Sequence, residues 1–167
     1  MRHRYPKRLR LQGYDYTAPG SYFVTICTHR RAMLFDNVCL REMVEEIWLS
    51  LPERFPQVKQ DAWVVMPNHF HGIICLVEQA DVDVARPTLS AVVGAFKSLV
   101  AVRWLAWIGE HEPERSGRIW QRGYYERIIR HDRALNAVRH YIHDNPRRWT
   151  EDRDNLDTLI GRMDARL

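Results

Sequence analysis

Two histidines separated by one phenylalanine, His69 and His71, stand inside the apolar stretch WVVMPNHFHGIICLV at residues 63 to 77. Side chains alternate along an extended strand, so both imidazoles point to one face, while Phe70, Gly72, Ile74 and Leu76 point to the other. Such a pair can hold one divalent metal ion and leave its other positions open to substrate, which suits catalysis better than a closed structural site. Histidines satisfied within a core produce the same pattern, so the pair alone leaves both readings open. Near the other end of the chain, VRHYIHDNP at residues 138 to 146 sets Tyr141 and Asn145 four apart, on one side of a helix. A tyrosine oxygen can attack a phosphodiester while a metal ion polarises the phosphoryl oxygen. The phosphotyrosine link conserves the bond for religation, so no nucleotide triphosphate is needed and the lack of a GxxxxGK[ST] loop is no objection. His143 competes with Asn145 as a third ligand, although its spacing from Tyr141 turns it elsewhere. Tyr124 and Tyr125 compete as nucleophiles, although a strand position suits packing or base stacking.

These residues need elements to position them. Residues 21 to 29, SYFVTICTH, are β-branched and aromatic after Pro19 and Gly20, and predict a first strand. Met43, Val44, Ile47, Trp48 and Leu51 recur at helical spacing and predict a helix over residues 40 to 55. Residues 59 to 66 and 69 to 77 flank the turn pair Pro67 and Asn68 and predict an antiparallel hairpin. Pro87 and Thr88 open a second helix, with Thr88 as N-cap and Val92, Phe96, Leu99 and Val100 as its apolar face. After a loop at residues 113 to 117, RIWQRGYYERIIR at 118 to 130 predicts a fourth strand. A last helix starts near Asp132, buries Leu135, Val138 and Ile142, and is expected to end before Pro146. This order predicts an α+β fold: a ferredoxin-like or RRM-like sandwich with an antiparallel sheet of four to five strands and helices packed on it.

With 167 residues, 46% hydrophobic and 28% charged, the chain suits one domain spanning residues 1 to 167. The longest apolar segment outside the histidine strand, residues 91 to 108, contains Lys97 and Arg103, so no membrane span and a cytoplasmic location are expected. Cys27, Cys39 and Cys75 are odd in number and widely spaced, which predicts buried reduced thiols. A net charge of +4 points only weakly to a polyanionic partner. Its distribution says more, because the arm at residues 1 to 12 concentrates Arg4, Arg8 and Arg10 around Tyr5, a mixture fitted to phosphates and bases. Lys97 is a further candidate phosphate contact, as are Arg122, Arg127 and Arg130 beside Trp120 and Tyr124. A charged tail follows from about residue 150 to 167.

PNHFHGIICL resembles the HUH motif, histidine-hydrophobic-histidine, of single-tyrosine transposases in the IS200-like superfamily. The ordered set LRLQGYDYTAPGSYFVTICTHRR, AWVVMPNHFHGIICL, VVGAFKS, IWQRGYYERIIR and YIHDNPRRW is similar to the succession found in REP-associated tyrosine transposases, over residues 9 to 149. The resemblance implies an endonuclease and strand transferase that binds single-stranded hairpin DNA such as REP palindromes with an adjacent tetranucleotide. It further implies a 5′-phosphotyrosine intermediate and a need for Mg²⁺ or Mn²⁺. His69 and His71 then take the metal-ligand roles, Tyr141 the nucleophile role, and Asn145 the place where relatives set a polar third ligand, commonly glutamine. Arg4, Arg8 and Arg10 fall where the family reads the tetranucleotide. Monomer and homodimer remain open. A nucleic-acid-binding protein without catalysis, and a metallohydrolase acting through bound water, are the rival readings.

Overall fold

The computed structural model describes residues 12–78 and 86–149, so the contacts expected of Arg4, Arg8 and Arg10 and the charged tail lie outside the described residues. The chain runs β1 (Gly20–Cys27), α1 (Val38–Arg54), β2 (Val58–Met66), β3 (His69–Leu76), α2 (Leu89–His111), β4 (Tyr125–Ile129) and α3 (Asp132–Trp149), with two short 3-10 turns between β1 and α1. Strand order is β2-β3-β1-β4, and every neighbouring pair is antiparallel. This is the predicted ferredoxin-like plan, with four strands and an added C-terminal helix.

Alternation along the strands decides the layering. Tyr22, Val24 and Ile26 of β1 and Phe70, Ile74 and Leu76 of β3 point to one face, where α1 and α2 bury Trp48, Leu51, Phe96 and Val100 on them. Phe23, Ile73 and Ile129 point to the other face and meet Ala134, Val138 and Ile142 of α3. Both helices on the first face are capped as their sequences require. Asn37 accepts from the Leu40 N–H at 3.0 Å, and Thr88 accepts from the Ala91 N–H at 3.0 Å. Although α2 is long and apolar enough to cross a bilayer by length and composition, Leu89, Val92, Phe96, Val100 and Ile108 are buried in the core. Gly72 is needed for close packing behind the histidines: a Cβ there would lie 2.8 Å from both the Phe70 and Trp48 rings.

Three expectations are corrected. The fourth strand covers Tyr125–Ile129 rather than residues 118 to 130; before it, only Trp120 bridges to Thr28. Gly123 takes a left-handed φ of 75°, which breaks the extended run. The last helix does not stop before Pro146 but continues to Trp149. Proline there removes one hydrogen bond, and the continuation carries the Trp149 ring to 5.8 Å from that of His69. The cysteines are free but half-buried rather than buried.

Candidate active site

His69 begins β3, directly after the Pro67 and Asn68 turn, and His71 pairs with Thr25 in the centre of the sheet. Both rings are fully buried, on the face that receives α3. Their Nε2 atoms lie 3.0 Å apart. Each Nδ1 is engaged as well: that of His69 with Asn68 Oδ1 at 2.7 Å, that of His71 with Thr25 Oγ1 at 2.8 Å. Burial drives the His69 pKa down to about 3, and the positive charge of Arg31 adds to the effect. Burial, followed by the proximity of His69, holds His71 well below the ordinary histidine range. Both imidazoles are therefore neutral at pH 7, the state in which they can donate lone pairs.

The α3 helix lays one row of side chains over this pair. Tyr141 Oη is 3.5 Å from His71 Nε2, and the two ring centroids are 5.3 Å apart. Phe23 stacks on His71 at 5.2 Å and meets Tyr141 edge-on at 6.1 Å, which fixes both rings. Trp149, two turns beyond Tyr141, reaches His69. Asn145 occupies the middle of that row, buried, with its Nδ2 lacking a hydrogen-bond partner among the described residues. The helix is also tied to β2 by a two-pronged ion pair, with Arg139 Nε and a terminal guanidinium nitrogen at 2.9 and 2.6 Å from the two Asp61 oxygens.

The donors present suit a divalent cation. Cis ligands of an octahedral ion at about 2.1 Å stand about 3 Å apart, which is the separation of the two Nε2 atoms. Among the described residues no group of three or more His, Cys, Asp or Glu gathers anywhere. Asn145 offers a donor of another type: half a turn of its amide would bring the oxygen to where the nitrogen finds no acceptor among the described residues. A buried amide left unpaired is otherwise costly.

Tyr141, His69 and His71 are thus brought together within one chain, and Asn145 lies buried one helical turn beyond Tyr141. His143 is exposed. Tyr124 packs on the α1 and α2 side, its hydroxyl 3.3 Å from Ser90 Oγ. Tyr125 stays on the α3 face opposite Thr25, one strand further from His71 than Thr25 itself. The basic residues are not gathered at the histidines. Lys97 Nζ donates to the carbonyls of Gln121 and Gly123, both at 2.9 Å, and the Trp120 indole donates back to the Lys97 carbonyl at 3.0 Å. Arg122 is exposed in the turn so held, at the histidine end of the sheet, because Gln121 bonds to Cys27 and Cys27 faces His69 across the strands. Arg127 sits opposite Phe23, and Arg130 is exposed past the far end of β4. Sequence reasoning missed Asn68, Thr25 and Trp149. Asn68 could have been suspected from its place beside His69, whereas Thr25 becomes visible only through the strand register.

Comparison with known proteins places the chain in a family. The IS200-like transposase profile matches residues 19–145. A Haemophilus influenzae protein named only as uncharacterized is 32% identical over 174 residues, covering 90% of this chain and 93% of that protein. A second protein of that organism, named as a candidate REP-associated tyrosine transposase, is 26% identical over 132 residues, covering 79% and 73%. Among solved structures, a REP-associated tyrosine transposase bound to a REP hairpin shares the fold, with a TM-score of 0.60 at 22% identity over 82% of this chain and 72% of that one. The chain belongs to the IS200-like transposase family, and within it resembles the REP-associated tyrosine transposases.

Proposed function

We propose that the protein is a divalent-metal-dependent endonuclease and strand transferase for single-stranded hairpin DNA of the REP type, with Tyr141 as nucleophile. The observation that carries this reading is the approach of Tyr141 Oη to 3.5 Å from His71 Nε2, beside a second imidazole nitrogen 3.0 Å away. In the reaction, Tyr141 Oη bonds to phosphorus and the P–O3′ bond breaks. The phenol loses a proton and the departing 3′-oxygen gains one, so no net proton is consumed. The resulting 5′-phosphotyrosine can be attacked by a 3′-hydroxyl, which reverses the step and joins strands. Mg²⁺ or Mn²⁺, held by His69, His71 and Asn145, would supply positive charge to polarise the phosphoryl oxygen and steady the leaving oxygen. Phe23 and the α3 core hold the phenol in place, so little orientation is left to be gained when DNA arrives.

DNA contacts are assigned to Arg4, Arg8 and Arg10 of the N-terminal arm and to Arg122, Arg127 and Arg130. Lys97 contributes through the turn that it holds. The solved structure of a REP-associated tyrosine transposase bound to a REP hairpin supports a hairpin as the ligand. Incubation with an end-labelled single-stranded hairpin and Mg²⁺ should give a protein–DNA band that survives denaturation. Tyr141→Phe should lose that band yet still shift the hairpin on a native gel, and His69→Ala should lose metal-dependent cleavage. A wild-type protein that binds the hairpin without ever forming the band is a binding protein and not a strand transferase.

A further inference from the structure

We propose that Asn68 is a positioning residue that locks His69 in the tautomer with hydrogen on Nδ1, leaving the Nε2 lone pair aimed at the metal position, while Thr25 leaves His71 free to take either tautomer. The metal role of the pair rests on the function proposed above; the tautomers are a property of the chain itself.

The assignment follows from one group that can only accept. The Arg31 carbonyl receives a hydrogen bond from Asn68 Nδ2 at 3.3 Å, so the amide nitrogen must face Arg31. The amide oxygen must then face His69 Nδ1, 2.7 Å away, and this nitrogen has to carry the hydrogen. Nothing is left on His69 Nε2 but its lone pair. Residue 68 is held firmly enough to impose this. Its carbonyl accepts from the Thr28 N–H at 3.0 Å and shares the Thr28 hydroxyl, at 2.9 Å, with the Ala32 carbonyl at 2.7 Å, and the Pro67 carbonyl accepts from the Phe35 N–H at 3.0 Å. The Arg31 carbonyl is itself set by two successive left-handed residues, Arg30 and Arg31, at φ 54° and 55°. Asn68 is 6% exposed, so water does not compete for the bond.

His71 is held differently. Its Nε2 faces the bare His69 Nε2 at 3.0 Å, so in the metal-free chain it must supply the hydrogen, and its Nδ1 accepts from the Thr25 hydroxyl. For both lone pairs to face one cation, that hydrogen has to sit on His71 Nδ1 instead. A hydroxyl can turn from donor to acceptor, which an amide fixed by a carbonyl cannot. A threonine at position 25 and an asparagine at 68 therefore give one rigid and one adjustable ligand.

Long-range proton–nitrogen correlation spectra of ¹⁵N-histidine protein, without metal at pH 7, read the tautomers directly. The expected pattern is Nδ1–H for His69 and Nε2–H for His71; Nε2–H on His69 in the wild type overturns the proposal. Asn68→Ala should release His69 into tautomer exchange and weaken Mn²⁺ binding, followed by the spin-resonance signal of free Mn²⁺, by roughly ten- to a hundredfold. Asn68→Asp, whose carboxylate can only accept, should keep the His69 tautomer. Unchanged Mn²⁺ affinity in Asn68→Ala contradicts the positioning role. Tyr141→Phe separates the two claims, because it should keep the tautomers and the Mn²⁺ affinity while losing the covalent DNA adduct.

Discussion

Burying two neutral imidazoles makes the stability of the metal-free protein depend on pH in a window where carboxylates are silent. In the unfolded chain His69 titrates near 6.5, whereas in the folded chain it does so near 3. Between these values the unfolded state holds a proton that the folded state refuses, so stability is fully present above pH 6.5 and is lost as pH falls. The loss is about 1.4 kcal/mol per pH unit for one histidine, hence about 2 kcal/mol between pH 6.5 and 5 from His69. His71 is shifted in the same direction and adds to it. Against a total stability of about 5–15 kcal/mol for a domain, this is large. Urea unfolding at pH 7.5, 6.5, 5.5 and 5.0, in the presence of a chelator, measures the slope. His69→Leu, which removes one of the two groups, should flatten the slope by about 1.4 kcal/mol per pH unit whatever it does to the absolute stability. Equal slopes in wild type and variant would show that His69 takes up its proton while folded, and would refute the buried neutral pair.

Four other outcomes follow from particular residues. Gly72→Ala pushes a methyl into the Phe70 and Trp48 rings, which are themselves fully buried, and should cost about 1–3 kcal/mol in urea unfolding. Lys97→Met should weaken hairpin binding while leaving its logarithmic salt slope unchanged, since the ammonium is committed to two carbonyls. Arg122→Ala, which removes an exposed cation, should lower that slope by about one. Because Tyr141 meets His71 of its own chain, a mixture of Tyr141→Phe and His69→Ala proteins should form no adduct. Recovery of activity on mixing would mean that the tyrosine helix is exchanged between chains.

Much of the fold could be read along the chain because its signals are local. Helical spacing in residues 40 to 55, the Thr88 cap and the Pro67 and Asn68 turn each act within a few residues, and each element formed where expected. The common face of His69 and His71 followed from strand alternation, and its pairing with Tyr141 followed from the helix row. What the sequence hid depends on contacts between distant segments. Proline at 146 is a local stop signal, yet the helix runs on past it and sets Trp149 against His69, a contact between distant segments. Residues 118 to 124 have strand-like composition, yet Gly123 and the grip of Lys97 turn them into a held loop. Lys97 read as a free helical cation until its two carbonyl partners, more than twenty residues away, were in place. The partners of the histidine Nδ1 atoms needed the β1–β3 register and the Arg31 turn.

The most direct test of strand transfer through Tyr141 is to trap the hairpin adduct with Mg²⁺, digest the protein, and locate the nucleotide by mass spectrometry. A nucleotide carried through its 5′-phosphate on the peptide containing Tyr141 is expected. A nucleotide on Tyr124 or Tyr125, or cleavage that leaves no tyrosine modified, would contradict the chemistry assigned to this site.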